Sequence, residues 1–232
     1  MTFKIQSTQD AARQQGVNIL VHGPAGAGKT RLCATLPAPL IISAESGLLS
    51  LADYDLPVIT VNSLEDVTEA YNFLTRSEEA TRYQSVAIDS LTEVAEVCLS
   101  HEKAVEVNGK FVDPRQAYGA LIDKMTLIVR AFRDLPNKHV YMAAQQERIQ
   151  IDAALIHGIS FPGKQLTTSL PYMFDELFAL RVETNPEGKI VRYLQTSRDS
   201  QYDAKDRSGK LAQFEEPHLG NIINKIINKK DD

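Results

Sequence analysis

Cysteine is scarce in this chain: Cys33 and Cys98 are the only two among 232 residues. No CxxC pair and no His at metal spacing accompanies them, which excludes a disulfide scaffold and a zinc site. Two reduced, partly buried thiols in a reducing cytosol are expected instead. Basic charge is not in surplus either. Lys and Arg number 25 against 30 Asp and Glu, for a formal net charge of −5. That balance excludes coating nucleic acid by bulk charge but leaves room for a local basic patch. No apolar run approaches the ~20 residues of a membrane span. The opening stretch, MTFKIQSTQDAARQQG, lacks the apolar centre of a signal peptide, so the expected location is the cytoplasm, with no membrane partner. Internal repeats and low-complexity tracts are missing as well.

What is present is an ordinary globular composition, 43% hydrophobic and 24% charged, with length for one full core. The expected organisation is a single domain over 1–232, with an N-terminal extension (1–16), a core (17–211) and a C-terminal helix (212–232). Short apolar runs alternate with helical patterns. VNILVH (17–22), PLIIS (39–43), PVITV (57–61), SVAID (85–89) and HVYMAA (139–144) read as strands. They are apolar without alternation, as strands buried on both faces are. Helical periodicity marks 29–36, the set Leu64, Val67, Tyr71 and Leu74 behind a Ser63 cap, the set Leu91, Val94 and Cys98, and 121–135. The pattern predicts an α/β fold, a mainly parallel sheet flanked by helices. Two stretches lose periodicity and read as loops: 101–118, with turn signals at Asn108-Gly109 and Asp113-Pro114, and 146–168. A C-terminal β-hairpin is expected from 177–183 and 189–195 around Asn185-Pro186-Glu187-Gly188. The apolar stripe from Leu219 to Ile227 reads as a helix packed on the core.

One motif is specific. Gly23-Pro24-Ala25-Gly26-Ala27-Gly28-Lys29-Thr30 matches G-x-x-x-x-G-K-[ST] between a strand and a helix. Glycines let the backbone wrap phosphates, whose charge the successive N–H groups and the helix N-terminus attract. Lys29 is assigned to the β- and γ-phosphates and Thr30 to Mg2+; Arg31, next along the helix, is counted with the loop as nucleotide-binding. The expected cofactors are therefore ATP and Mg2+. Asp89 ends an apolar strand and reads as the second Mg2+ residue. Ser90 follows it, so the Asp-Glu pair of AAA+ ATPases is missing. Glu45, at the carboxyl end of the 39–43 strand, is the candidate base, because ligands bind at that edge of an open parallel sheet. A Glu in such a place is also commonly just solvated.

Together these residues resemble the RecA-like core ATPases. The resemblance implies that Glu45, after Ala44, is the catalytic base. It also implies that Gln145, ending VYMAAQ, senses the γ-phosphate and opens a DNA-binding loop, with Gln146 as the alternative register. A narrower resemblance is to a phage nucleotide-binding family of short RecA-like proteins associated with single-strand annealing, the Sak group. It rests on Phe161-Pro162-Gly163-Lys164, on Leu170-Pro171 with Phe174-Asp175-Glu176, and on Tyr202-Asp203-Ala204-Lys205-Asp206-Arg207. Lys205 and Arg207 resemble the Lys-x-Arg element of hexameric RecA-like ATPases. That implies a homo-oligomer, ring or filament, in which the pair reaches a neighbour's γ-phosphate; a solvated charged turn is the plainer alternative.

The implied DNA loops are 101–118, with Lys103, Lys110 and Arg115, and 146–168, with Arg148, Lys164 and Phe161 as a stacking aromatic. Glu102, Glu106, Asp113, Glu147 and Asp152 dilute their charge. The implied partners are single-stranded DNA and a phage or host single-strand-binding protein. The alternative is an assembly ATPase acting on a protein partner without a DNA role. A GTPase is disfavoured, since Asn228-Lys229-Lys230-Asp231 trails a helix and no D-x-x-G follows Asp89. So is a small-molecule kinase, for which Arg198 and Arg207 make a poor lid.

Overall fold

The computed structural model describes residues 5, 7, 15–45, 47–107, 110–151 and 153–228. The Asn108-Gly109 turn, Asp152, Lys229 to Asp231 and most of the N-terminal extension lie outside the described residues. The strands are β1 (Asn18–His22), β2 (Pro39–Ser43), β3 (Val58–Thr60), β4 (Ser85–Asp89), β5 (Glu106–Val107) and β6 (Lys110–Phe111). They continue with β7 (His139–Ile151), β8 (Ala154–Ser160), β9 (Glu176–Thr184), β10 (Ile190–Gln195), β11 (Lys205–Asp206) and β12 (Phe214–Glu215). The helices are α1 (Lys29–Leu32), α2 (Leu64–Arg76), α3 (Leu91–Ala104), α4 (Pro114–Arg133), α5 (Lys164–Ser169) and α6 (Leu219–Ile227).

Strands β9, β1, β7, β4, β2 and β3 lie side by side in that order and run parallel. The expected mainly parallel sheet is therefore present, and the expected hairpin extends it: β10 pairs antiparallel with β9, from Ile190 opposite Thr184 to Gln195 opposite Ala179. Side chains alternate between two cores, as a doubly covered strand requires. Leu20, Leu40, Ile42, Val86, Ile88, Val140 and Met142 face the core under α2, α3 and α4. Ile19, Val21, Ile41, Ala87, Tyr141 and Ala143 face the core under α1 and α6. Fully buried Met125 and Phe132 of α4 each stabilise the fold by roughly 2–3 kcal/mol relative to an exposed side chain.

Local chemistry starts the helices where it should. Ser63 caps α2: its hydroxyl accepts from Asp66 N at 3.1 Å while the Asp66 carboxylate accepts from Ser63 N at 3.0 Å. In α6, Leu219, Ile222 and Ile223 are buried and Ile227 is exposed, so most of the terminal stripe is core packing.

Both expected loops are corrected. In 101–118, α3 continues to Ala104 and α4 begins at Pro114, leaving only the β5–β6 hairpin between them. Asp113-Pro114 starts a helix instead of making a free turn: Asp113 Oδ1 accepts from Arg115 N at 2.7 Å, and proline at the first helical position lacks an N–H that would go unpaired anyway. The 146–168 stretch is largely regular. β7 runs to Ile151 because β8 folds back on it, pairing Gln145 with Ser160 through to Ile151 with Ala154. The alternation of Arg148, Ile149, Gln150 and Ile151 carried that signal.

Candidate nucleotide site

The carboxyl ends of β1, β7, β4 and β2 meet at one cavity of 780 Å3. It is lined by every residue from Gly23 to Leu32, together with Glu45, Asp89, Gln145 and Gln146. β7 lies between the P-loop strand and the Asp89 strand, which is what brings Gln145 to the phosphate side. The loop turns through positive φ at Gly26 and Gly28, conformations that cost a residue with a Cβ. At Gly23 a Cβ would lie 3.0 Å from the Leu180 carbonyl oxygen, so close packing on β9 favours glycine there as well.

Lys29 Nζ donates to the Gly23 and Pro24 carbonyls at 2.7 and 3.0 Å. Burial pushes its pKa down, and the negative charges of Glu45 and Asp89 oppose that shift. Asp89 is buried, which pushes its carboxyl up, while a hydrogen bond from the Thr30 hydroxyl pulls it back. A hydroxyl held against a carboxylate is the oxygen pair that a hard cation such as Mg2+ takes, and the glycine cradle with its lysine suits a phosphate chain. The residues fit both groups.

Glu45 accepts a hydrogen bond from the Ser90 hydroxyl. The residue that breaks the Asp-Glu pair thus holds the carboxylate that stands in the cavity. The Asp89–Ser90 peptide is cis. Thr92 adds a second tie: its hydroxyl donates to Ser160 O at 3.0 Å and accepts from Gln145 N at 3.0 Å. Gln145 is exposed to the cavity. Gln146 is not equivalent, being engaged with His22 at 3.0 Å and His157 at 3.2 Å. Buried His22, whose pKa burial pushes down, is neutral and donates through Nε2 to Asp203 O at 2.8 Å. It accepts at Nδ1 only when the Gln146 amide turns its NH2 toward it, which leaves the amide oxygen for His157.

Lys205 and Arg207 stand elsewhere. Lys205 pairs with Leu177 across β11 and β9, and Ile19 pairs with Glu176, so the element sits at the amino end of β9, the opposite edge of the sheet from Gly23. Lys205 Nζ donates to the Pro171 and Phe174 carbonyls, both at 2.7 Å. Arg207 donates to Asp175 Oδ1 at 3.0 Å and keeps its side chain 56% exposed.

A second cavity, of 800 Å3, lies beyond Gln146 along β7 and is closed by β8, α5 and the segment around Arg198 to Lys205. Arg148 and Lys164 line it together. Lys103 is linked to the same region: its Nζ lies 5.5 Å from the Tyr118 ring centre, and Tyr118 packs toward Gly163, next to Lys164. Lys110 and Arg115 are exposed on the β5–β6 hairpin and the start of α4 and do not line the groove. Phe161 is corrected as a stacking aromatic: it is 6% exposed and belongs to the core. The solvent-facing aromatic on the groove is Tyr172, 81% exposed.

Sequence reasoning missed Ser90, Thr92, Tyr141 and Arg192. The buried Tyr141 hydroxyl donates to Lys29 O at 2.9 Å, and Arg192 Nε donates to Ala27 O at 2.9 Å. Only Ser90 had a signal, its adjacency to Asp89.

A family model described as AAA domain matches residues 15–208. Among solved structures, a KaiC-like protein, PH0186, from the hyperthermophilic archaeon Pyrococcus horikoshii OT3 is similar at 13% identity and a TM-score of 0.44, over 82% of this chain and 83% of that one. No curated protein matches the chain. Among the described residues, no helix is long and apolar enough to cross a membrane.

Proposed function

The chain belongs to the AAA domain family of P-loop ATPases, and from that premise we propose that it hydrolyses Mg-ATP slowly to drive binding and annealing or pairing of single-stranded DNA in phage recombination. Lys29 and the loop amides hold the phosphates. When bound, Mg2+ neutralises developing charge on the phosphoryl oxygens, with Thr30 and Asp89 as its protein oxygens. Glu45, steadied by Ser90, orients the attacking water and takes its proton. Gln145 reads the γ-phosphate. Arg207 serves a neighbouring copy in a ring or filament, with Lys205 fixing its segment.

The observation that carries this reading is β7 itself. The strand that presents Gln145 to the nucleotide cavity continues directly into the wall of the groove holding Arg148 and Lys164. Nucleotide state and groove shape therefore share one rigid element. Two cations beside an exposed Tyr172 suit a phosphate backbone with one stacked base. A protein partner is favoured by a different observation: Leu155, 60% exposed, lies on the same groove, and Arg198 is already paired with Asp203. Phosphate release with and without single-stranded DNA at low salt separates the two. Stimulation supports the DNA role, whereas no stimulation and no filter-retained DNA with ATP and Mg2+ present would transfer the function to a protein partner. Arg207→Ala should abolish the dependence of hydrolysis on protein concentration; unchanged dependence removes the shared-site role.

A further inference from the structure

We infer that Arg192, supplied by the C-terminal hairpin, is a second cation on the phosphate chain of the nucleotide bound at the P-loop. The inference rests on reading the 780 Å3 cavity as a nucleotide site. Leu194 of β10 is buried in the core that contains Leu32 and Cys33. Strand periodicity puts Arg192, two residues earlier, on that same face of the sheet. β10 stands two strands from β1, so a long side chain is needed to reach the loop, and Arg192 reaches it. Its Nε donates to Ala27 O at 2.9 Å, and a Cβ at Gly28 would lie 3.8 Å from the same nitrogen.

That contact uses one of five guanidinium donors. Among the described residues no carboxylate forms an ion pair with Arg192. Asp89 and Glu45, the cavity's carboxylates, are already engaged with Thr30, Lys29 and Ser90. A guanidinium tethered to a loop built for phosphates, with its remaining donors unpartnered among the described residues, is an anion contact. A bond to Ala27 O alone would make Arg192 merely a latch on the loop, and the two roles differ in their response to salt.

The test is titration of the full chain with Mg-ADP at low and high ionic strength, with thermal melting in the absence of nucleotide. Arg192→Met keeps the apolar stem and removes the charge. It should weaken Mg-ADP binding about tenfold at low salt, with a deficit that shrinks at high salt and an unchanged melting temperature without nucleotide. Arg192→Lys should fall between Met and the wild type. Wild-type affinity in Arg192→Met, or a deficit equal at both salt concentrations, would overturn the role. Lys29→Ala separates the premises: no binding by the wild type overturns the nucleotide reading as well, whereas binding lost in Lys29→Ala and kept in Arg192→Met overturns Arg192 alone.

Discussion

Two cavities of nearly equal volume, 780 and 800 Å3, share β7 as a wall, and they differ in how their charges are held. In the nucleotide cavity one short stretch, Gly23 to Thr30, supplies the cradle, and Lys29 stands between two carboxylates that oppose the loss of its charge. In the groove the residues come from β7, β8, α5 and the segment before β11. Several of its charges are spent on the fold: Lys205 caps backbone carbonyls and Arg198 holds Asp203. Arg148 and Lys164 are left without ion pairs among the described residues. A contiguous motif can be poised for one ligand chemistry, whereas a surface assembled from distant segments must first satisfy its own polar groups.

The comparison breaks most sharply at Glu45. Glu45→Gln should lower phosphate release about 100-fold or more while nucleotide binding persists, because the cradle and Lys29 are untouched. Equal loss of binding and hydrolysis would mean that Glu45 shapes the cavity instead of the chemistry. A smaller effect is expected in the groove. Arg148→Ala with Lys164→Ala should weaken single-strand binding about tenfold at low salt and reduce the slope of log affinity against log salt by about 0.7 per cation removed. Hydrolysis without DNA should stay at the wild-type level; a fall there would show that the groove and the nucleotide cavity are not separable.

The smallest effect concerns the amino end of β9, where Glu176 lies opposite Asp206 across β9 and β11. Burial, reinforced by Asp206, pushes the Glu176 carboxyl up from 4.5 to about 8, and Glu176 Oε2 is buried without a hydrogen-bond partner among the described residues. The unfolded chain loses this proton near pH 4.5 and the folded chain keeps it to about 8. Across that window the native state holds a proton that the unfolded state has released, so this site's contribution to stability falls as pH rises. Glu176→Gln should therefore raise the melting temperature by roughly 3 °C at pH 8.5 and by much less at pH 5. Parallel pH profiles for variant and wild type would refute the raised Glu176 carboxyl.

Much of this was legible from local pattern. The glycine loop, the run ending in Asp89 and the Ser63 cap are contiguous, and their chemistry depends on a few residues in order. The 146–168 hairpin was only half legible: the alternation from Arg148 to Ile151 marked its first strand, while the Gly, Ser, Pro and Thr of 158–168 obscured the strand that returns along it. Lys205 and Arg207 read as a finger, with a charged turn as the plainer alternative; the contacts that engage them, Pro171, Phe174 and Asp175, lie more than 30 residues away.

By itself, then, the amino-acid sequence determined the phosphate cradle, its lysine and hydroxyl, and the parallel α/β class, because strand burial and loop geometry follow from short-range pattern. Only the tertiary structure decided that Ser90 holds Glu45 and that Gln145 faces the cavity while Gln146 serves the buried His22. It also decided that Arg192 arrives from the far hairpin. Each of those depends on strand order and register, which bring together atoms that no local spacing relates.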